Sequence, residues 1–136
     1  MTKLKWWFRI VGGFYLLLGI SNVIYEIIDP QFVAKGMVPA SYTPDAVTVT
    51  ALVHTWLPSS LSFLVLGVLL LYYSRQPAQA RILLLAVALL ELFAWVPYDV
   101  MWFVNGLPSA AGIPFLVIHV AIGVTGILFL RQAEAE

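Results

Sequence analysis

The sequence predicts an all-α integral membrane protein, an antiparallel bundle of four transmembrane helices, on three observations. Hydrophobic residues make up 62% of the 136 residues, against roughly 45–50% in a soluble globular domain. Charged residues are 10%, where about 25% is usual. The apolar residues fall into four runs, each close to the ~20 residues that a bilayer crossing requires. A chain of this length has room for one domain. A soluble fold of that size cannot bury so much apolar surface, so the solvent for much of it must be lipid.

The first run extends from about Trp6 to Ile28 and ends at Asp29-Pro30, because the residue before proline is pushed out of helical geometry. Lys3, Lys5 and Arg9 ahead of an apolar stretch imitate a signal peptide. No small-residue cleavage site follows, and the run reaches spanning length, so it reads as the first spanning helix. The second, about residues 46–73, is announced by Thr43-Pro44-Asp45: capping threonine, first-turn proline, and aspartate at the positive helix end. Pro58 is an expected kink. The third covers about 81–104 with Pro97 inside, and the fourth about 113–130 with Pro114 in its first turn. Such prolines are tolerated where neighbours satisfy the freed carbonyl.

Lys3, Lys5, Arg9, Arg75, Arg81 and Arg131 fall at one side of such a bundle, and Lys35 alone at the other. The positive-inside rule makes the six-residue side, with both termini, cytoplasmic. Ser74–Ala80 is then a short cytoplasmic link, and Asn105-Gly106-Leu107-Pro108 opens an outer turn. The outer loop from about Asp29 to Tyr42 carries Phe32, Val33, Met37 and Val38. It has two readings, a lid on the bundle mouth or an interfacial segment resting on headgroups.

The depth of the polar groups carries the functional signal. Asn22 and Glu26 lie near the outer end of the first helix, and His54 and Trp56 in the outer part of the second. Glu91 is near mid-membrane on the third. Tyr98, Asp99 and Trp102 follow in its outer half, and His119 is in the outer half of the fourth. Ionisable residues in spans are rare and face a bundle interior or cavity. An unpaired carboxylate at the depth of Glu91 costs several kcal/mol, so it must be protonated, paired or wet.

Gly19, Asn22 and Glu26 share a face by steps of three and four. So do Glu91, Trp95, Tyr98 and Trp102, with Asp99 off that stripe, and so do His119, Gly123 and Gly126. Turning each helix inward gathers Asn22, Glu26, His54, Glu91, Tyr98, Asp99 and His119 around an aromatic-walled pocket, with Trp56, Trp95 and Trp102 as further wall residues. Each also has a plainer role: Glu26 snorkelling, Asp99 capping, His54 at the interface, His119 satisfied within the bundle, and tryptophans as interface belts.

Several chemistries lack their motifs. Zero net charge supplies no basic footprint for a nucleic acid. Without cysteine there is no disulfide, thiol catalysis or Cys-based metal site. No His-x-x-x-His or Glu-x-x-His spacing preorganises a metal. Pro58-Ser59-Ser60 lacks the glycines of a nucleophile elbow, and no glycine loop cradles phosphate. No cofactor is therefore expected. So few pore-lining charges leave no continuous path for a channel within one chain, although a homo-oligomer can make one.

The opening Trp6-Trp7-Phe8-Arg9-Ile10-Val11-Gly12-Gly13-Phe14-Tyr15-Leu16-Leu17-Leu18-Gly19 resembles the start of small bacterial four-helix membrane proteins of the BphX-like and broader DoxX-like families, the former encoded beside aromatic-degradation genes. The likeness covers length and four-span layout. It implies a multi-pass fold in a bacterial inner membrane, and no particular activity. The layout is also loosely similar to the sterol-isomerase and sigma-2-receptor group, with no residue-by-residue motif.

Three functions compete. The first is a binding protein or transport accessory for a small lipophilic or aromatic molecule held in the outer-half pocket. The second is an acid–base enzyme (isomerase, cyclase or epoxide hydrolase type) with Glu91 as proton donor and His119 or Asp99 as acceptor. The third is a structural subunit whose polar groups bond helices to one another or to a partner.

Overall fold

The computed structural model describes residues 2–39, 41–105 and 109–135. Gly106, Leu107 and Pro108 of the expected outer turn lie outside the described residues. Among the described residues every regular element is helical: α1 (Thr2–Ile28), α2 (Pro30–Gly36), α3 (Ala46–Tyr73), a 3-10 turn (Pro77–Ala80), α4 (Arg81–Leu90), a π turn (Glu91–Trp95), α5 (Val96–Val104) and α6 (Ser109–Ala135). The segment from Pro77 to Val104 runs as one rod. With Lys3–Ile28, Ala46–Tyr73 and Gly112–Gln132, it makes four helices long and apolar enough to cross a membrane.

The breaks follow local chemistry. The Asp29 side chain accepts the Phe32 amide at 3.0 Å and caps α2, whose first residue is Pro30. The segment expected as a loop thus contains a two-turn helix. It packs on α1 and α3 through the fully buried Ala34, while Phe32 faces outward. Asp45 accepts the Thr48 amide at 2.8 Å and caps α3. That backbone N–H holds the Asp45 carboxyl below the ordinary aspartate range.

Helix α1 makes its largest interface with α3, and the backbones meet there. A Cβ at Gly67 would lie 2.6 Å from the Leu16 nitrogen, and one at Gly19 2.8 Å from the Leu64 nitrogen. Residue numbers along the seam run in opposite senses, Gly12 meeting Leu70 and Leu71, and Gly19 meeting Leu64. The rod packs on α6, where Gly126 faces Ala88 and the Trp7 ring. α1 closes on α6 through the Trp7 indole, which donates to Thr125 Oγ1 at 3.1 Å.

The end of the molecule that carries the chain's N-terminus is filled by Leu4, Trp7, Phe8, Val11, Leu70 and Leu84, all buried. Burial of such side chains contributes ~25 cal/mol per Å² against water, and packing contacts sustain it when the surroundings are apolar. Apart from Ser74 at the end of α3, the buried polar groups gather beyond this plug, at and past the level of Tyr15.

Gly67 and Gly13 make a matched test. Gly67→Ala forces a methyl into the Leu16 backbone and should cost about 1–3 kcal/mol by thermal unfolding in detergent. Gly13→Ala meets nothing within 4 Å and should be neutral or stabilising by up to about 1 kcal/mol.

Candidate functional site

The site begins with a departure from regular helix. At the end of α4 the Val96 amide donates to the Glu91 carbonyl, five residues back rather than four. This π turn takes in one extra residue. At roughly 100° per residue, Asp99 would stand about 80° round from Glu91 in a regular α-helix. The extra residue removes most of that offset, so both carboxylates face α6.

His119 of α6 lies between them. Its Nδ1 donates to Asp99 Oδ2 at 2.7 Å, and its Nε2 lies 4.0 Å from Glu91 Oε2. Across the rod, the Tyr15 hydroxyl of α1 donates to Glu91 Oε1. Tyr15, Glu91, His119 and Asp99 thus form one chain of polar groups joining α1, the rod and α6. Glu91 is 0% exposed and Tyr15 1%, with His119 and Asp99 nearly as buried. Asp99 fixes the proton on Nδ1, as inferred from the hydrogen bond, and leaves the Nε2 lone pair toward Glu91.

A cavity of about 150 Å³ adjoins this chain. Leu18 and Asn22 come to it from α1, Trp56 and Phe63 from α3, and Gly112, Phe115 and His119 from α6. Trp95, Tyr98, Asp99 and Trp102 come from the rod. The walls are mutually packed rings. Trp56 stacks on Tyr98 with centroids 6.2 Å apart, and Trp95 meets Phe63 at 5.1 Å and His119 at 5.7 Å. The Trp95 and Trp102 indole nitrogens are buried and have no hydrogen-bond partner, as is Glu91 Oε2. Buried donors are normally paired, so these two N–H groups are available to an acceptor. Tyr98 is 38% exposed, so the cavity reaches the surface beside it.

Of the residues singled out in the sequence, Glu91, Asp99 and His119 come together, and Asn22, Trp56, Trp95, Tyr98 and Trp102 line the adjoining cavity. Glu26 and His54 do not join them. Glu26 is buried against α3, where Ser60 Oγ donates to its Oε1 at 2.6 Å. His54 is exposed. It stands two positions before Trp56, about 200° of helix rotation, so α3 cannot turn both inward, and the larger apolar ring takes the interior.

The residues not anticipated are Tyr15, Ser60, Leu18, Phe63 and Phe115. Tyr15 had a signal: one four-residue step back along the Gly19–Asn22–Glu26 stripe lands on it. Among the described residues no group of three or more His, Cys, Asp or Glu is placed to hold a metal ion. Comparison of the chain with protein-family profiles, with curated proteins and with solved structures finds no match in any of the three.

The Tyr15–Glu91 bond yields a double-mutant test. Tyr15→Phe strips a buried carboxyl of its donor and should destabilise by about 1–3 kcal/mol in thermal unfolding. Glu91→Gln retains an acceptor for Tyr15 and should cost less. The double variant should fall short of the sum of the two, as contacting residues do.

Proposed function

We propose that the four long helices form an antiparallel bundle across a bacterial inner membrane, with both termini cytoplasmic, and that the cavity holds a small lipophilic molecule bearing a hydrogen-bond acceptor. The observation that carries the reading is the cavity itself: aromatic walls from α3, the rod and α6 completed by Leu18 and Asn22 of α1, a buried His119–Asp99 pair at its edge, and two unpartnered indole N–H donors.

The exterior supports the bilayer. Leu17, Val65, Ile82, Phe93 and Val117 all face outward, and water would not tolerate apolar surface on every side. The opposed numbering along the helix seams supports the antiparallel arrangement, and the clustered basic ends support the orientation. The volume bounds the ligand. A cavity of about 150 Å³ in a protein core is known to accept a benzene-sized guest. The ligand is therefore about one ring or a short branched chain, and the protein binds it or hands it on as a transport accessory.

A second reading has its own observation. Asp99 orients His119 so that Nε2 faces Glu91 Oε2 across 4.0 Å, with the cavity alongside. A donor and an acceptor so placed suit proton transfer on a lipophilic substrate such as an isomerisation, with Glu91 and His119 exchanging roles and Asp99 fixing the ring.

Binding is read from tryptophan fluorescence in detergent micelles, with acetophenone and ethylbenzene as probes of similar size. Acetophenone should bind up to about tenfold tighter, the worth of one hydrogen bond, and Trp95→Phe with Trp102→Phe should erase the difference. Leu18→Trp, which fills the cavity, should abolish binding. Equal binding by the filled variant would remove the proposal. For the second reading, Glu91→Gln and His119→Gln should keep the probe and lose turnover.

Orientation has a direct assay, because the chain has no cysteine. In intact bacterial cells an impermeant maleimide should label Lys35→Cys and spare Arg75→Cys. The reverse pattern would invert the topology.

A further inference from the structure

The end of the molecule opposite the aromatic cavity carries a second concavity, of about 560 Å³. Lys5, Trp6 and Arg9 of α1 form one wall, and Arg75, Gln76 and Gln79 of the link after α3 form the other. The volume lies within the ~300–1,000 Å³ typical of small-molecule sites, and three cations converge on it from two separate elements.

Among the described residues no carboxylate pairs with Lys5, Arg9 or Arg75. Glu26, Asp29, Asp45, Glu91 and Asp99 all lie at or beyond the level of Tyr15, on the far side of the apolar plug. Lys5 and Arg9 are one helical turn apart on a shared face. The Arg9 guanidinium sits over the Trp6 ring, 5.4 Å from its centroid. The cation–π contact holds the guanidinium over the ring, and its planar N–H fork is the geometry that accepts two oxygens of one phosphate. Gln76 and Gln79 add amide donors.

Apolar surface adjoins the basic pocket. Trp6 is 54% exposed and Ile10, next to Arg9, 68%. A tryptophan at this position matches the headgroup level of a bilayer, and Ile10 begins the face met by acyl chains.

We infer that this pocket is a binding site for the phosphate of an anionic phospholipid headgroup. The inference rests on the transmembrane reading above, which puts the pocket at a leaflet surface, and is independent of what the aromatic cavity holds. Phosphate is the group that a guanidinium fork, a second arginine, a lysine and two amides recognise together. A lipid supplies it where Trp6 and Ile10 meet the acyl region. Basic pockets between helix ends at a membrane surface are suited to such headgroups.

The test uses the full chain in nanodiscs and in micelles. Lipid retention is measured by native mass spectrometry with phosphatidylglycerol and phosphatidylcholine of the same acyl chains. Phosphatidylglycerol should be retained preferentially, and less so at high salt. Lys5→Gln, Arg9→Gln and Arg75→Gln should each weaken it about fivefold, and the triple variant about a hundredfold. Arg9→Lys keeps the charge, loses the planar fork, and should fall between. Lys35→Gln, which removes the same charge at the opposite end, should have no effect.

Equal retention of the two lipids, an unchanged triple variant, or an equal loss with Lys35→Gln would overturn the site. Saturation by glycerol 3-phosphate at the concentration that displaces phosphatidylglycerol would assign the pocket to a soluble phosphate and overturn the lipid. The single variants alter exposed side chains, and unchanged melting by circular dichroism verifies their fold. A chain that entered no nanodisc of either composition would refute the transmembrane reading instead, so the two failures are distinct.

Discussion

Glu91 has no exposed surface, follows an isoleucine, leucine, valine and alanine stretch near the middle of the rod, and cannot be solvated there by water. A carboxyl in such a place costs several kcal/mol unless other groups engage it. Those groups must come from neighbouring helices, because the rod's own backbone bonds are already used. Tyr15 reaches it from α1, and His119 approaches from α6. One buried acid therefore fixes the rotation of three helices at once. Pairing of this kind contributes less to net stability than to uniqueness, since apolar packing alone lets helices in lipid rotate past one another. The π turn that starts at Glu91 extends the constraint to Asp99, which then orients His119.

The consequence is a molecule divided across its length. Between the basic ends and Tyr15, apolar side chains fill the interior, and close approach of α1 and α3 at Gly12 leaves no room for a guest. Past Tyr15 the interior is lined by rings too broad to interdigitate, and Trp56, Trp95 and Tyr98 brace one another around open space instead. The cavity and the polar chain share Asp99 and His119, so a guest in one meets the other. The same division keeps Glu26, Asp29, Asp45, Glu91 and Asp99 away from the basic pocket.

Much of this was legible in the sequence, for identifiable reasons. Four apolar runs with proline-marked ends gave the helices, because composition and chain breaks act locally. Glu91, Asp99 and His119 were found because ionisable groups are costly in apolar surroundings wherever the helix turns. What escaped notice depended on helix rotation and partners. His54 and Trp56 looked equally able to face inward until packing chose the ring. Glu26 found Ser60 on α3 and stayed apart from the cavity. Tyr15 passed as one aromatic among many, although its place on the Asn22 stripe pointed inward. The π turn had no local signature, so Asp99 was placed off the stripe that it in fact rejoins. The helix at Pro30–Gly36 was obscured by its shortness, despite the Asp-Pro pair that starts it.

The central claim, that a buried carboxyl and imidazole network joins the helices, is tested most directly by nitrogen NMR of ¹⁵N-histidine in micelles. The chain has two histidines, and His54→Gln assigns the spectrum. His119 should show a protonated Nδ1 with a strongly deshielded, slowly exchanging proton and an unprotonated Nε2. Asp99→Asn should remove that proton signal, and Tyr15→Phe should shift it through Glu91. A His119 ring that exchanges with water as freely as that of His54, and is indifferent to Asp99→Asn, would contradict the account.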